Sequence, residues 1–354
     1  MTFSAAVTSV TREKIVPRIF DQITKGSPLL MKLLQTAEEW RSGYRYDFPI
    51  QYVDTTNGGN TGVADKLDTD RQNTRVKAAF DPKMAYKPVV LADIELALNK
   101  GDERVIDLFT AEFDTQGKSL TTLMAQNLYS GNGTGNEWDS LDNAADDGSN
   151  YPTYGSLSRT TYTAWEGYYL ASVGALTLAK LATGYDAVEI GQDAPDVIVT
   201  TKSLWSVYES LLTPTVRAGY NTSGYPQMNS FGMVSQAEAL QGQAGFGVLF
   251  FRGTPIVKDE QVPSGRVYFV NTEYFGFKGI DLSGTEANIR TVNFKSANKG
   301  VPAGVPGRIP STRGFNFRDL MSPVDQLAEV GHLIYAGNFI ATQPRLQGQL
   351  RNVT

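Results

Sequence analysis

Residues 44–52 alternate strictly: Tyr44, Tyr46, Phe48, Ile50 and Tyr52 are separated by Arg45, Asp47, Pro49 and Gln51. A period of two puts the aromatic and aliphatic residues on one face of a β-strand and the others on the opposite face. The polar run from Asp54 through Asn57, Gly58, Gly59 and Asn60 to Gly62 has the chemistry of a loop. Alternation resumes as Val76, Ala78 and Phe80 against Lys77, Ala79 and Asp81, and continues through Met84 and Tyr86. Together these segments predict a long two-stranded excursion with a glycine-rich tip. A lone hairpin is marginal in water because nothing covers its apolar face. Any fold containing this one must supply the cover, either from a larger sheet in the same domain or from another chain. The pattern alone leaves both open.

The remaining periodicities predict an α+β chain. Over 102–129, Val105, Phe109, Phe113, Leu120, Met124 and Leu128 recur at helical steps, flanked by Ile106 and Leu123. Asp102 and Glu103 suit the positive end of that helix. Its 28 residues would span about 42 Å. Gly117 inside it costs about 1 kcal/mol relative to Ala and marks a bend or a close packing point. Nearer the start, Ile15, Ile19 and Ile23 recur at i+4, with Pro17 in a first turn. Gly26-Ser27-Pro28 breaks that stripe, and Leu29, Leu30, Leu33 and Leu34 restart it. Such a helix either packs on its own domain or docks as an arm on a neighbour.

Downstream, 131–152 reads as a loop, 177–190 as a helix and 196–200 as a buried strand. A helix through Leu204, Val207, Tyr208 and Leu211 ends near Pro214. Short strands at 248–251, 256–257 and 266–270 are separated by Gly253-Thr254-Pro255 and Pro263-Ser264-Gly265 turns. Residues 300–310 form a Gly/Pro-rich loop, and long strands interrupted by Gly331 and Gly337 close the chain near 327–340. No fixed-period repeat is present.

Composition excludes much ordinary chemistry. The 354 residues contain no cysteine and one histidine, His332. That rules out disulfides, thiolate nucleophiles, Cys-ligated metals and multi-histidine metal sites within one chain. Length gives a prior of about two domains and permits a large core without staples. The 32 Lys+Arg against 37 Asp+Glu, a net charge of −5, argue against a protein whose main task is gripping nucleic acid. There is no apolar run near the length of a membrane span. Residues 1–18 lack the layout of a secretory signal, and absence of Cys fits a reducing compartment. The expectation is a soluble protein made inside the cell.

Gly131-Asn132-Gly133-Thr134-Gly135 superficially resembles a phosphate-cradling loop, but it follows a helix and enters a polar loop, the wrong context for a dinucleotide fingerprint. The full Gly-x-x-x-x-Gly-Lys-Ser/Thr motif is absent. Asp139, Asp142, Asp146 and Asp147 lack the spacing of a calcium loop and read as a solvated acidic loop. His332 sits in an alternating strand pattern, as a structural residue does. The glycosylation-type matches at Asn132, Asn221 and Asn352 carry meaning only on a secretory route. A carboxylate pair is the enzymatic option that composition leaves. A carbohydrate-active enzyme would need two acids facing a cleft with aromatic platforms. Trp138, Trp165 and Trp205 are available, yet no pair is singled out, and Trp serves first as a core or interface anchor. No catalytic residue, cofactor or metal is assigned.

The order of elements resembles the major capsid proteins of tailed bacteriophages and their Hong Kong ninety-seven-type fold, which encapsulin nanocompartments share. Three local patterns carry the resemblance. Gly155-Ser156-Leu157-Ser158-Arg159-Thr160 leading to Trp165 resembles the Gly-x-x-(Asp/Ser)-Arg-(Ser/Thr)…Trp segment of a subset of these capsids. Ala194-Pro195-Asp196-Val197-Ile198-Val199-Thr200-Thr201 is similar to the strand that opens their axial-domain sheet. Phe251-Arg252-Gly253-Thr254-Pro255-Ile256-Val257-Lys258-Asp259, with Val262-Pro263 and Tyr268-Phe269-Val270-Asn271, resembles their Gly-x-Pro-Val-x-x-Asp…Pro…Phe-x-Asn pattern.

The resemblance covers nearly the whole chain and implies an N-terminal arm at 1–41 and an extended loop at 42–91. It implies a peripheral domain at 92–194 with a spine helix at 102–129, an axial domain at 195–275, and a return to the peripheral domain at 276–354. It implies a non-enzymatic subunit assembling as pentamers and hexamers into an icosahedral shell around phage double-stranded DNA. Assembly would take place in the host cytoplasm, and the resemblance also allows an encapsulin-like nanocompartment. The hairpin's apolar face would then be covered partly by another chain. Ile15, Ile19, Tyr44, Tyr46, Phe48, Ile50, Asn57, Gly58, Gly59, Lys66, Arg71, Arg75 and Phe80 are the implied inter-subunit contacts. The arm starts almost at Met1, so scaffolding is expected from a separate protein, alongside a portal and room for a decoration protein. Lys66 and Lys77 lie where some relatives crosslink, but no partner Asn is identified and crosslinking is not expected. DNA would be enclosed without sequence-specific binding, and no membrane partner is implied.

Overall fold

A computed structural model describes residues 26–40, 43–62, 66, 67, 69–98, 108–212, 249–282, 289–291, 314–323 and 327–354. The Ile15, Ile19 and Ile23 stripe, the first turns of the long helix at 102–107 and the loop at 300–310 lie outside the described residues. The chain runs α1 (Pro28–Gln35), β1 (Glu38–Glu39), β2 (Tyr46–Gln51), β3 (Arg75–Phe80), β4 (Lys83–Ala92) and α2 (Asp93–Leu98). It continues through α3 (Leu108–Ser130), α4 (Leu141–Ala144), β5 (Thr153–Tyr154), β6 (Leu157–Ser158), β7 (Tyr168–Leu170) and α5 (Leu178–Val188). Then come β8 (Val197–Thr200), α6 (Lys202–Leu211), β9 (Leu249–Phe251), β10 (Thr254–Lys258), β11 (Val267–Val270) and β12 (Phe275–Gly279). β13 (Ile289–Thr291), β14 (Phe315–Met321), β15 (Ala328–Ala341) and β16 (Gly348–Leu350) complete it.

β15 is the rail of a first six-stranded sheet. β4 pairs with it antiparallel from Ala92↔Ala328 to Lys83↔Gly337. β14 and β12 pair with successive stretches of β15, and each is extended by a short strand, β13 and β1. This divides the second limb of the anticipated excursion. Residues 75–80 stay in the hairpin, but beyond Asp81-Pro82 the chain leaves it and joins the main sheet. One face of that sheet, with Ala85, Val89, Leu333 and Tyr335, packs in one core with Leu120, Met124 and Leu128 of α3. Each of these α3 side chains is essentially fully buried, a contribution of about 1.5–3 kcal/mol apiece.

The second six-stranded sheet runs β7-β16-β11-β8-β10-β9. It therefore draws 168–170 and 348–350 in beside strands from 197–270. β8 is buried throughout, which its Val-Ile-Val sequence suits. Its side chains alternate between two cores. Val197, Val199, Val257, Tyr268 and Val270 join the core of the first sheet. Ile198, Ile256, Val267, Phe269 and Leu350 face a second core closed by Leu181 and Tyr185 of α5 and Leu204 and Tyr208 of α6.

Asp259, just after β10, ties three segments together. Its carboxylate accepts from the hydroxyl of Ser27, the N-cap of α1, from the Tyr129 hydroxyl at 2.8 Å and from the Gln261 amide at 2.9 Å. Leu29, Leu30 and Leu33 of α1 are thereby buried in this chain's own core, so this part of the N-terminal segment packs at home.

A second buried carboxylate, Asp139, closes the loop after α3 onto β15. It accepts from Asn338 Nδ2 at 2.6 Å, while its amide donates to Asn338 Oδ1 at 3.1 Å. Burial raises its carboxyl from 3.8 to about 6, against the opposing pull of Asn338 and Lys83. The folded chain therefore holds this proton more tightly than the unfolded chain. The resulting stability is fully present below about pH 4 and is lost as pH rises through about 6. Asp139→Asn is expected to flatten that part of the stability profile, an effect of about 3 kcal/mol across the window, read by urea unfolding at a series of pH values. An unchanged profile would show that Asp139 does not titrate there.

Candidate assembly surface

The hairpin of β2 and β3 pairs from Tyr46↔Phe80 to Gln51↔Arg75. As the alternation requires, Tyr46, Phe48 and Ile50 turn inward and Asp47, Pro49 and Gln51 face outward. The inward face rests on rings of the same chain. Phe48 stacks on Phe80 at 6.0 Å and lies 6.1 Å from Trp165. Phe80 meets Tyr154 edge-on at 5.0 Å, and Tyr46 meets Trp40 at 5.4 Å. Arg45 grips Asp81 through two nitrogens at 2.6 and 3.1 Å, and Lys77 pairs with Asp47 across the strands. Tyr52, 4.9 Å from Tyr162, is the last ring in this series before the tip.

The Gly155-Ser156 turn between β5 and β6 clamps this root. The Ala79 amide donates to the Gly155 carbonyl at 2.9 Å, and the Ser156 hydroxyl donates to the Ala79 carbonyl at 3.2 Å. Gly155 has φ +56, and a Cβ there would fall 2.7 Å from the Phe80 ring, so the turn requires glycine. Four residues after Gly155, Arg159 is fully buried. Its guanidinium donates to the carbonyls of Asn143, Ala144 and Tyr151 at 2.8, 3.2 and 3.0 Å. Asp146 lies 3.8 Å away and is itself bonded to the amides of Gly148, Asn150 and Tyr151. The pattern singled out in the sequence thus fixes the hairpin to the body.

The four aspartates of 139–147 do not form a solvated loop. Asp139, Asp142 and Asp146 are buried. Asp142 accepts from Arg266, from Arg351 at 2.8 Å and from the hydroxyls of Tyr268 and Tyr151, each at 3.1 Å. Two arginines from the second sheet and its continuation repay the desolvation of one carboxylate.

Beyond Tyr52 the hairpin is polar and largely exposed. Its limbs are clasped by side chains. The Gln72 amide accepts from the Thr56 N–H at 2.8 Å and donates to the Thr56 hydroxyl at 2.7 Å and to Asn57 Oδ1, while Asn57 Nδ2 donates to the Asp70 carbonyl at 2.6 Å. Among the named candidates, Tyr44 is 85% exposed, and Gly58, Gly59, Lys66, Arg71 and Arg75 are exposed. Asn57 is half-buried in the clasp. Tyr46, Phe48 and Ile50 are half-buried against this chain's own core, and Phe80 is fully enclosed there. Phe80 is thus removed as a contact, because Gly155, Tyr154 and Phe48 already cover it. Ile15 and Ile19 lie outside the described residues.

One apolar surface went unanticipated. Met84, Tyr86 and Val90 stand exposed on the outer face of β4, where the strand alternates between two apolar faces. The signal was the alternation itself, continuing past Pro82 with Ala85, Val89 and Leu91 on the opposite side. His332 lies on the same outer face, 5.9 Å from the Tyr86 ring.

Among the described residues no group of three His, Asp or Glu could hold a metal, and no helix is long and apolar enough to cross a membrane. Gly117-Lys118-Ser119 lies in the middle of α3, with Glu112 where a phosphate loop would need its first glycine. A polar cavity of about 490 Å³ opens between the first sheet and the loops at 192–196 and 271–274. Its Asp196 is committed to Lys32 at 2.7 Å and its Asp193 to the Tyr274 hydroxyl at 3.2 Å.

No family model matches the chain, and no curated protein matches it. Solved structures do. The capsid asymmetric unit of cyanophage A-1(L) matches with a TM-score of 0.70 at 16% identity, covering 99% of this chain and all of that one. The capsid of a native GTA particle matches at 0.60 and 10% identity over the full length of both chains. The SrpI encapsulin of Synechococcus elongatus PCC 7942 matches at 0.57 and 11% identity, over all of this chain and 96% of the other. Two sheets, a long helix beneath the first and a hairpin clamped at its root are therefore the tailed-phage major capsid fold.

Proposed function

We propose that this chain is a phage major capsid protein that self-assembles as pentamers and hexamers into an icosahedral shell enclosing double-stranded DNA. The observation that carries this reading is the division of the hairpin. Its root is seated on its own body, while its tip is exposed and already clasped, in a chain whose fold is that of shell proteins. Such a tip is suited to lie on an adjacent subunit. It offers Asn57, Gly58, Gly59, Lys66 and Arg71, with Tyr44 and Arg75 nearer the body and Ile15 and Ile19 from the arm. In this reading 1–41 is the arm and 42–91 the extended loop, with strand 83–92 returning to the body. The first sheet and α3 are the peripheral domain, and 195–275 supplies most of the axial domain. The subunit is structural and needs no cofactor. Its net charge of −5 gives a wall that tolerates packaged DNA without adhering to it. A separate scaffolding protein and a portal complete assembly in the host cytoplasm, a decoration protein has room on the shell, and the chain ends in the virion.

The encapsulin match supports a second reading, a nanocompartment shell. Co-purified DNA supports the phage shell, and a co-purified cargo enzyme supports the compartment. Negative-stain microscopy of purified protein is expected to show closed shells or pentameric and hexameric capsomers. A small discrete oligomer with hydrolase activity would overturn both shell readings.

Deletion of 54–70 is expected to leave a folded monomer that no longer assembles, scored by circular dichroism and sedimentation. Loss of the fold would instead make the tip an intramolecular element. Gly155→Ala acts on the root, where the added methyl meets Phe80, and is expected to lower the monomer's own stability by about 1–3 kcal/mol. Equal stability in urea would mean the root does not depend on that clamp.

A further inference from the structure

The chain contains two Asn-Gly steps, Asn57-Gly58 and Asn132-Gly133, and the fold treats them oppositely. In such a step the amide nitrogen of the glycine can attack the side-chain carbonyl of the preceding asparagine, because no Cβ obstructs the approach. The reaction needs a free nitrogen and a backbone able to rotate. Asn132-Gly133 has neither. The Gly133 N–H donates to the Trp138 carbonyl at 3.0 Å, and Asn132 Oδ1 accepts from the amide and hydroxyl of Thr134 at 2.8 and 2.6 Å. The position a Cβ of Gly133 would take lies 2.4 Å from Asp139, so the backbone is also packed.

Asn57-Gly58 has both. Gly58 is exposed, with φ +118, and its N–H has no partner among the described residues. Nothing lies within 4 Å of where a Cβ would stand on Gly58 or Gly59. What sets this step apart is therefore the Gly58 nitrogen and the open backbone around it, not the Asn57 carboxamide, which is half-buried in the clasp. The Gln72 amide donates to its oxygen, the atom on which negative charge collects during attack.

We propose that Asn57-Gly58 is a self-modifying site at which the hairpin tip converts spontaneously from an amide to a carboxylate. The Gly58 nitrogen gives up its proton to solvent base and bonds to Asn57 Cγ. The Cγ–Nδ2 bond then breaks, and the nitrogen leaves as ammonia after taking a proton from water. The five-membered imide is opened by a second water at either carbonyl, giving an aspartyl or an isoaspartyl residue. The step requires only water and base. Its structural consequence falls on the clasp. Asn57 Nδ2, which donates to the Asp70 carbonyl, is replaced by an oxygen that cannot, and a new negative charge then faces that carbonyl. The two limbs of the tip are then held by Gln72 alone among these side-chain bonds. The inference goes beyond the shell reading and does not depend on it.

The full folded chain, aged in mildly alkaline buffer and digested with trypsin, tests it by peptide mapping. Position 57 is expected to gain one dalton and yield two isomeric products, at a rate rising roughly tenfold per pH unit as the reactive deprotonated nitrogen becomes more abundant. Asn132 is expected to stay unchanged in the folded chain and to convert once the chain is unfolded in denaturant. Asn57→Gln should abolish the gain, because attack would then require a six-membered ring. Equal conversion at both steps in the folded chain would overturn the proposal. So would conversion at Asn60 instead of Asn57, or an inert Asn57 in a preparation whose unfolded control reacts. Asn57→Asp should speed amide hydrogen exchange across 54–73, and unchanged exchange there would remove the clasp from the argument.

Discussion

A two-stranded ribbon has no interior of its own, so its shape in water is set by whatever it rests on. Here that support is the ring of Phe80, held between Phe48 on the facing strand and Tyr154 on the body, with Trp165 closing the side. Everything distal takes its direction from this contact, because Phe80 also ends β3 just before Pro82 turns the chain into β4 and the main sheet. The projecting loop and the structural sheet are thus consecutive pieces of one strand path. The loop's aim is fixed by the sheet's register.

The second layer of support is buried charge. Arg159 lies beneath the root and is held by main-chain carbonyls as well as by Asp146. Asp142 gathers Arg266 and Arg351, and Asp139 locks to Asn338. Such groups add little net stability over an apolar core, but each strongly disfavours any arrangement that separates it from its partner. The 139–167 stretch has little regular structure, and these partners give it a unique course between the two sheets.

The period-two and period-3.6 signals made the main elements legible, because burial on one face writes itself directly into residue order. Residues 46–51, the core stripe of α3 through Leu120, Met124 and Leu128, and the Val-Ile-Val of β8 are all of this kind. What stayed hidden depended on residues far apart in the chain. Nothing local to Asp142 announces Arg266 or Arg351, so a run of aspartates looked like a solvated loop. The fate of 83–92 was equally unreadable, since alternation is identical in a free hairpin and in a sheet and only the partner β15 decides between them. The hairpin surface was half legible. Its apolar face was evident, but that the chain itself covers Phe80 depends on Tyr154 and Gly155, more than seventy residues downstream.

The second sheet has a side chain for each of two cores at every step of β8, Val197 and Val199 to one and Ile198 to the other. A wall shared in this way cannot slide with respect to one side without disturbing the packing on the other. The two lobes are therefore poorly suited to hinge motion about this strand and well suited to transmit load. Pressure applied at one end of the chain's fold would be carried through β8 as through a rigid web joining two flanges.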